Sequence, residues 1–107
     1  MKNPRAPNHL RKETRKWWTK IVTDFELESH HLRVLQTCCE SWDRMTAARE
    51  VIDREGMTFV DRLKAVRPRP EINIERDSRV AFLRALRELG LDIAGDAPRP
   101  PTIQSKR

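Results

Sequence analysis

Two histidines and two cysteines fall within one ten-residue window: His30, His31, Cys38 and Cys39. Those residue types can ligate a metal or form a nucleophile pair, so their spacing decides what they can do. Ligands that share a metal on one helix usually sit three or four residues apart. The positions where partners of His30 and His31 would lie hold Arg33, Val34 and Leu35. His31 and Cys38 share a helix face, but two turns separate them by about 10 Å. That gap also exceeds the hydrogen-bond reach of a Cys–His nucleophile pair. The adjacent cysteines point about 100° apart around a helix axis and cannot form the usual bridge with each other. Both read as small buried hydrophobes in a reducing, intracellular setting. Glu71 and Glu75 are four apart and could pose as paired acids, but nothing completes a site around them. Glycine occurs only at 56, 90 and 95, which excludes the clustered glycines of a phosphate-cradling loop. No catalytic residue, metal or cofactor is expected.

The cations remain. The net charge of +6 is unevenly spread: residues 1–20 hold seven basic groups and one acidic, 21–61 four and nine, and 62–107 eleven and six. An acidic middle between basic ends suits a chain whose ends meet a polyanion while its middle packs. The candidate nucleic-acid contacts are Arg5, Arg11, Lys12, Arg15, Lys16 and Lys20 in the first block, and Arg62, Lys64, Arg67 and Arg69 in the third. Cations near a helix N-terminus oppose its dipole. The first set therefore carries a local cost that helix stability does not explain.

The elements that must position these groups follow from pattern. The stretch 29–55 reads as one unbroken helix, with Ser29 as N-cap and Gly56 as a left-handed stop. Leu32, Leu35, Cys39, Trp42, Met45, Ala48 and Ile52 recur at spacings of three and four. Such a helix is about 40 Å long, whereas a compact chain of about 100 residues has a radius of gyration near 13 Å. It must project from the body or pack against copies of itself. A first helix over about 10–27 presents Trp17, Ile21 and Phe25 beside Trp18 and Val22. Its short connection to the second predicts an antiparallel hairpin, with both tryptophans against the second helix's stripe.

Met57 to Val60 reads as extended, and Arg62 to Pro70 as a basic connector held extended ahead of Pro68 and Pro70. Pro70 opens a third helix, over about 70–89, which Gly90 stops. The fold class is all-α: a long helical hairpin plus a third helix after an extended connector. Residues 1–9 are expected to be a disordered basic N-terminus, 10–91 the helical domain, and 92–107 a flexible Pro-rich tail. Leu, Ile, Val and Phe total only 24 residues, near the lower edge for a globular chain. A core shared between subunits would relieve that shortage, and Trp17, Trp18, Leu35, Trp42, Met45 and Ile52 are the candidate oligomerisation residues. No apolar run approaches the ~20 residues needed to span a bilayer, and Lys2 and Arg5 lead into polar sequence rather than a secretory leader.

The order of these features resembles the small subunit of phage terminase, the DNA-packaging enzyme of tailed phages. The resemblance rests on Thr14-Arg15-Lys16-Trp17-Trp18, Phe25-Glu26-Leu27-Glu28, His30-His31-Leu32 and Cys39-Glu40-Ser41-Trp42-Asp43-Arg44. It continues through Asp61-Arg62, Arg67-Pro68-Arg69-Pro70, the run Ile74 to Arg79, and Arg87-Glu88-Leu89-Gly90-Leu91-Asp92, and ends on Pro98-Arg99-Pro100-Pro101. It spans roughly residues 10–101. Two departures stand out: Arg69 where a histidine is expected before the second proline, and Leu63 and Lys64 where many members carry a glycine.

The resemblance implies a ring-like homo-oligomer of helical hairpins in the host cytoplasm. It would bind double-stranded phage DNA and regulate a large subunit that holds the ATPase and nuclease. The tail after Asp92 is the expected large-subunit contact. With about nine residues before the first helix, no N-terminal helix-turn-helix module is expected. The competing reading is a small dimeric helical regulator that binds nucleic acid.

Overall fold

The computed structural model describes residues 3–91. Its elements are α1 (Lys12–Asp24), α2 (Ser29–Glu55), β1 (Thr58–Val60), β2 (Val66–Pro68) and α3 (Pro70–Glu88). The chain is mostly helical, with three helices and one small two-stranded sheet. Its radius of gyration is 17.7 Å, well above the ~13 Å of a compact chain this size, because α2 runs unbroken for 27 residues. The cap of α2 differs from expectation by one position. Glu28 is the N-cap: its carboxylate accepts the His31 backbone N–H, while His31 Nδ1 accepts the Glu28 backbone N–H at 3.1 Å. A carboxylate at this end also meets the positive pole of the helix. At the far end Gly56 takes φ 91° and ψ 176°, a region essentially closed to residues with a Cβ.

The closest helix pair is α2 with α3, not α1 with α2. α3 runs antiparallel to α2, as Arg49 meets Glu75 at one end and Trp42 meets Phe82 further along. Ser41 and Ala48 of α2 and Ser78 and Ala85 of α3 are buried. Small side chains at these positions let the two backbones approach closely, ridge into groove. Glu75 is buried at this contact. Arg79 donates to it from one turn along α3, and Arg49 Nη2 reaches its Oε2 from α2 at 2.6 Å. Glu75 is therefore a clamp between helices, not a solvated acid.

Those two guanidiniums, Arg79 first, hold the Glu75 carboxyl below its ordinary value. A folded-state pKa below the unfolded one gives stability that is full above the ordinary carboxylate value, near 4.3. It is lost as pH falls through the lower folded value. Glu75→Gln is expected to cost about 1–2 kcal/mol at neutral pH, the cations being half exposed and screened. The difference from the parent should shrink below about pH 4. Thermal melts followed by circular dichroism at both pH values check this; an equal deficit at both would contradict the charge-based clamp.

α1 is shorter than the sequence suggests. Arg11 is held extended, with ψ 155°, because its backbone N–H donates to Asp43 Oδ2 at 2.8 Å. Thr14 Oγ donates to the other oxygen of the same carboxylate. The tryptophans divide, since neighbours on a helix point about 100° apart. Trp18 enters the core with Leu10, Ile21, Val22, Leu35 and Cys39, whereas Trp17 turns to Phe82 of α3, ring centroids 6.2 Å apart.

Residues 3–9 make contacts with the helices. Pro4 O accepts the Trp18 indole N–H at 3.0 Å, His9 meets Glu40 at 2.8 Å, and Leu10 N–H closes a turn on Pro7 O. Met1, Lys2 and the expected tail, 92–107, lie outside the described residues.

The connector is more than extended chain. β1 and β2 pair antiparallel, Phe59 opposite Arg67. Asp61 organises the turn: Oδ1 accepts the N–H groups of Leu63 and Ala65, and Oδ2 accepts Arg67 Nε at 2.8 Å. Lys64 takes φ 67°, a left-handed conformation that costs an L-residue roughly 1–2 kcal/mol. This is the neighbourhood where the resemblance led us to expect glycine. Arg69, the other departure, donates to the carbonyls of Glu55, Gly56 and Thr58. It gathers the free carbonyl end of α2 and fixes the hairpin to it.

Candidate nucleic-acid interface

The ten candidate cations separate by how they are used. Arg11 makes a bidentate pair with Glu50 at 2.9 and 3.0 Å. Arg15 donates to the carbonyls of Leu10 and Asn8, Arg67 to Asp61 and Arg69 to the end of α2. These four arginines hold the chain together. The planar fork of arginine suits carboxylate and carbonyl capture, whereas lysine is a flexible point charge.

The lysines stay outside. Lys12, Lys16 and Lys20 are exposed and follow one another at four-residue steps along α1, so they form a single stripe opposite the helix's buried face. Lys16 lies 3.9 Å from Glu13, and Lys20 lies 3.1 Å from Asp24. Both are exposed pairs of the kind worth little in water. Arg5 is exposed near the start of the described chain. Arg62 and Lys64 are exposed on the hairpin turn, at the other end of the acidic helix. Among the described residues, Arg5, Lys12, Arg62 and Lys64 make no ion pair.

The acidic middle turns out to serve the chain itself. Glu40, Asp43 and Glu50 of α2 receive His9, Arg11 and Thr14 from the N-terminal segment and α1. The bond from Arg11 is the leading cause that holds the Glu50 carboxyl below its ordinary value. No local pattern signals these pairings; only the opposite charge of the two blocks hints at them.

Trp18 and Leu35 lie in the chain's own core, 3% and 0% exposed, and have no surface to offer a neighbour. Trp17, Met45 and Ile52 are half-buried. Trp42 is 42% exposed and packs one side on Phe82 at 4.9 Å. Cys38 and Cys39 are buried, their thiols pushed up to about 12 by desolvation. They stay protonated and unreactive. Among the described residues no group of three or more His, Cys, Asp or Glu side chains is placed to hold a metal. Nor, among them, is any helix long and apolar enough to cross a membrane.

The family model for the phage terminase small subunit matches residues 14–97. This chain belongs to the phage terminase small subunit family. No curated protein and no solved structure matches it. Terminase small subunits act in phage DNA packaging, and membership implies association with phage DNA and with the terminase large subunit. The matched span takes in Lys16 and Lys20 of the lysine stripe, the hairpin and all of α2 and α3.

Proposed function

We propose that this chain is the DNA-binding adaptor of a phage packaging motor. It assembles as a homo-oligomeric ring in the host cytoplasm, grips double-stranded phage DNA, and regulates the large subunit that carries the ATPase and nuclease. It is itself non-catalytic. The observation that carries this reading is the Lys12–Lys16–Lys20 stripe. These side chains sit on an exposed helix face; Lys16 and Lys20 pair only with exposed carboxylates that phosphate can replace. Arg5 is a further exposed cation near the start of the described chain.

A ring multiplies each weak phosphate contact by its subunit number, so a modest stripe binds by avidity. Trp42, with Met45 one turn on and Ile52 further along the helix, is the candidate subunit contact on α2. The segment after Asp92 is the candidate large-subunit contact.

Duplex affinity, read by fluorescence anisotropy, is expected to fall about 1,000-fold or more between roughly 50 and 200 mM salt, the loss for six or more phosphate contacts. Binding that ignores salt would sink the electrostatic mechanism. Mass in solution separates this reading from a dimeric regulator: a closed ring of many copies supports the adaptor, and a dimer supports the regulator.

A further inference from the structure

Two surfaces at opposite ends of α2 have no role so far. At the Gly56 end the hairpin turn carries Leu63, 83% exposed, between the exposed cations Arg62 and Lys64. An apolar side chain so far from any core is solvated at a cost, yet the turn that presents it is firmly built. Asp61 accepts three hydrogen bonds from within it, and Lys64 is kept left-handed. A rigid, preorganised knob loses little freedom on docking.

At the Ser29 end a cavity of about 540 Å³ opens between the N-terminal segment and the α1–α2 connection. Its lining includes the apolar Val22, Leu27 and Leu32, which are buried or half-buried, and the exposed acids Asp24, Glu26 and Glu28. Asp24 already faces Lys20, and Glu28 caps α2. Glu26 has no partner among the described residues. An apolar knob between two cations thus has its complement in a pocket of mixed lining, part apolar at Phe25, Leu27 and Leu32 and bordered by carboxylates. The two cannot meet within one chain, because 27 residues of helix hold them about 40 Å apart. Only a second copy can bring this knob to this pocket.

We propose that Leu63 of one copy seats in the Val22–Leu27–Leu32 pocket of the next, with Arg62 and Lys64 paired to its acidic border. This rests on the ring reading above and specifies how the ring joins. The contact is head-to-tail: each chain gives its knob to one neighbour and takes a knob from another. Such a heterologous contact closes into a ring when the rotation between copies allows. It also removes Arg62 and Lys64 from the DNA-contacting set.

Light scattering coupled to size exclusion tests it on the full chain. Leu63→Asp disables the knob. Thr23→Trp with Glu26→Arg fills the pocket and reverses its border. All three positions are exposed, and unchanged helical circular dichroism confirms folding. Each variant alone is expected to fall to the single-chain mass of 12.6 kDa. Mixed in equal amounts, they are expected to form a dimer that grows no further, since one intact knob meets one intact pocket and both remaining surfaces are dead. An assembled parent whose variants assemble equally would overturn the knob–pocket contact and leave the ring standing. Variants that become monomeric but do not pair on mixing would overturn it too. A monomeric parent would overturn the ring reading itself.

Discussion

Trp18→Ala is expected to remove about 3–5 kcal/mol of folding stability, the largest single loss available in this chain. A small domain has only about 5–15 kcal/mol in total. The indole fills the centre of a core with few large side chains, against Leu10, Ile21, Val22, Leu35 and Cys39. Its removal leaves a cavity that those neighbours cannot close without shifting α1 along α2. It also removes the indole N–H that Pro4 O accepts, freeing the segment that carries His9 and Arg11 to α2. Urea unfolding monitored by circular dichroism measures the loss. Trp17→Ala is the control: its side chain is half-buried against Phe82, so a smaller effect is expected. Equal costs at the two positions would contradict the division of the tryptophans between core and α3.

The largest functional effect is expected from reversing the lysine stripe. Lys12→Glu, Lys16→Glu and Lys20→Glu combined should weaken duplex binding by about 100-fold or more at low salt. The slope of log affinity against log salt should fall by about 0.9 for each phosphate contact removed. Only a modest loss of stability is expected: the side chains are exposed, and negative charge at position 12 in the first turn is favourable, partly offset by losing the pairs of Lys16 with Glu13 and Lys20 with Asp24. Arg11→Ala should do the reverse. It breaks the bidentate pair with Glu50 and lowers stability while the salt slope stays put. Anisotropy with a labelled duplex, paired with thermal melts of each variant, separates the two classes. A stripe variant that keeps the parent's slope would move the DNA contact elsewhere.

These contrasts mark where sequence stops speaking. The span of α2 was legible because nothing between Ser29 and Gly56 can break a helix, and because Gly56 stands where only glycine is comfortable. Pro70 announced α3 in the same local way. The partner of α2 was not legible. A short link suggested α1, but the small buried residues Ser41, Ala48, Ser78 and Ala85 give the closest approach to α3, and closeness depends on pairs far apart in sequence. Trp42 shared the spacing of the buried stripe, yet it stays 42% exposed, since a stripe that serves two neighbouring helices leaves a seam between them. The partner strand for Thr58–Val60 lay hidden in a stretch too basic and too rich in proline to suggest pairing.

The basic set shows the same limit. Charge counting put Arg11, Arg15, Arg67 and Arg69 beside Lys12, Lys16 and Lys20 without telling cations that hold the fold from those left at the surface. The chemistry of the two side chains offered a partial signal. Arginine is favoured where several acceptors must be held at once, and lysine where a charge must stay hydrated.

Arg69 gives the hairpin a mechanical character. By collecting the carbonyls of Glu55, Gly56 and Thr58, it welds the turn onto the end of the longest helix. The glycine beneath, which would otherwise be a hinge, becomes a fixed joint. Hairpin and helix then behave as one stiff lever about 40 Å long. A push on the tip is passed to α2, and to α3 packed along it, and is not absorbed as bending at the joint.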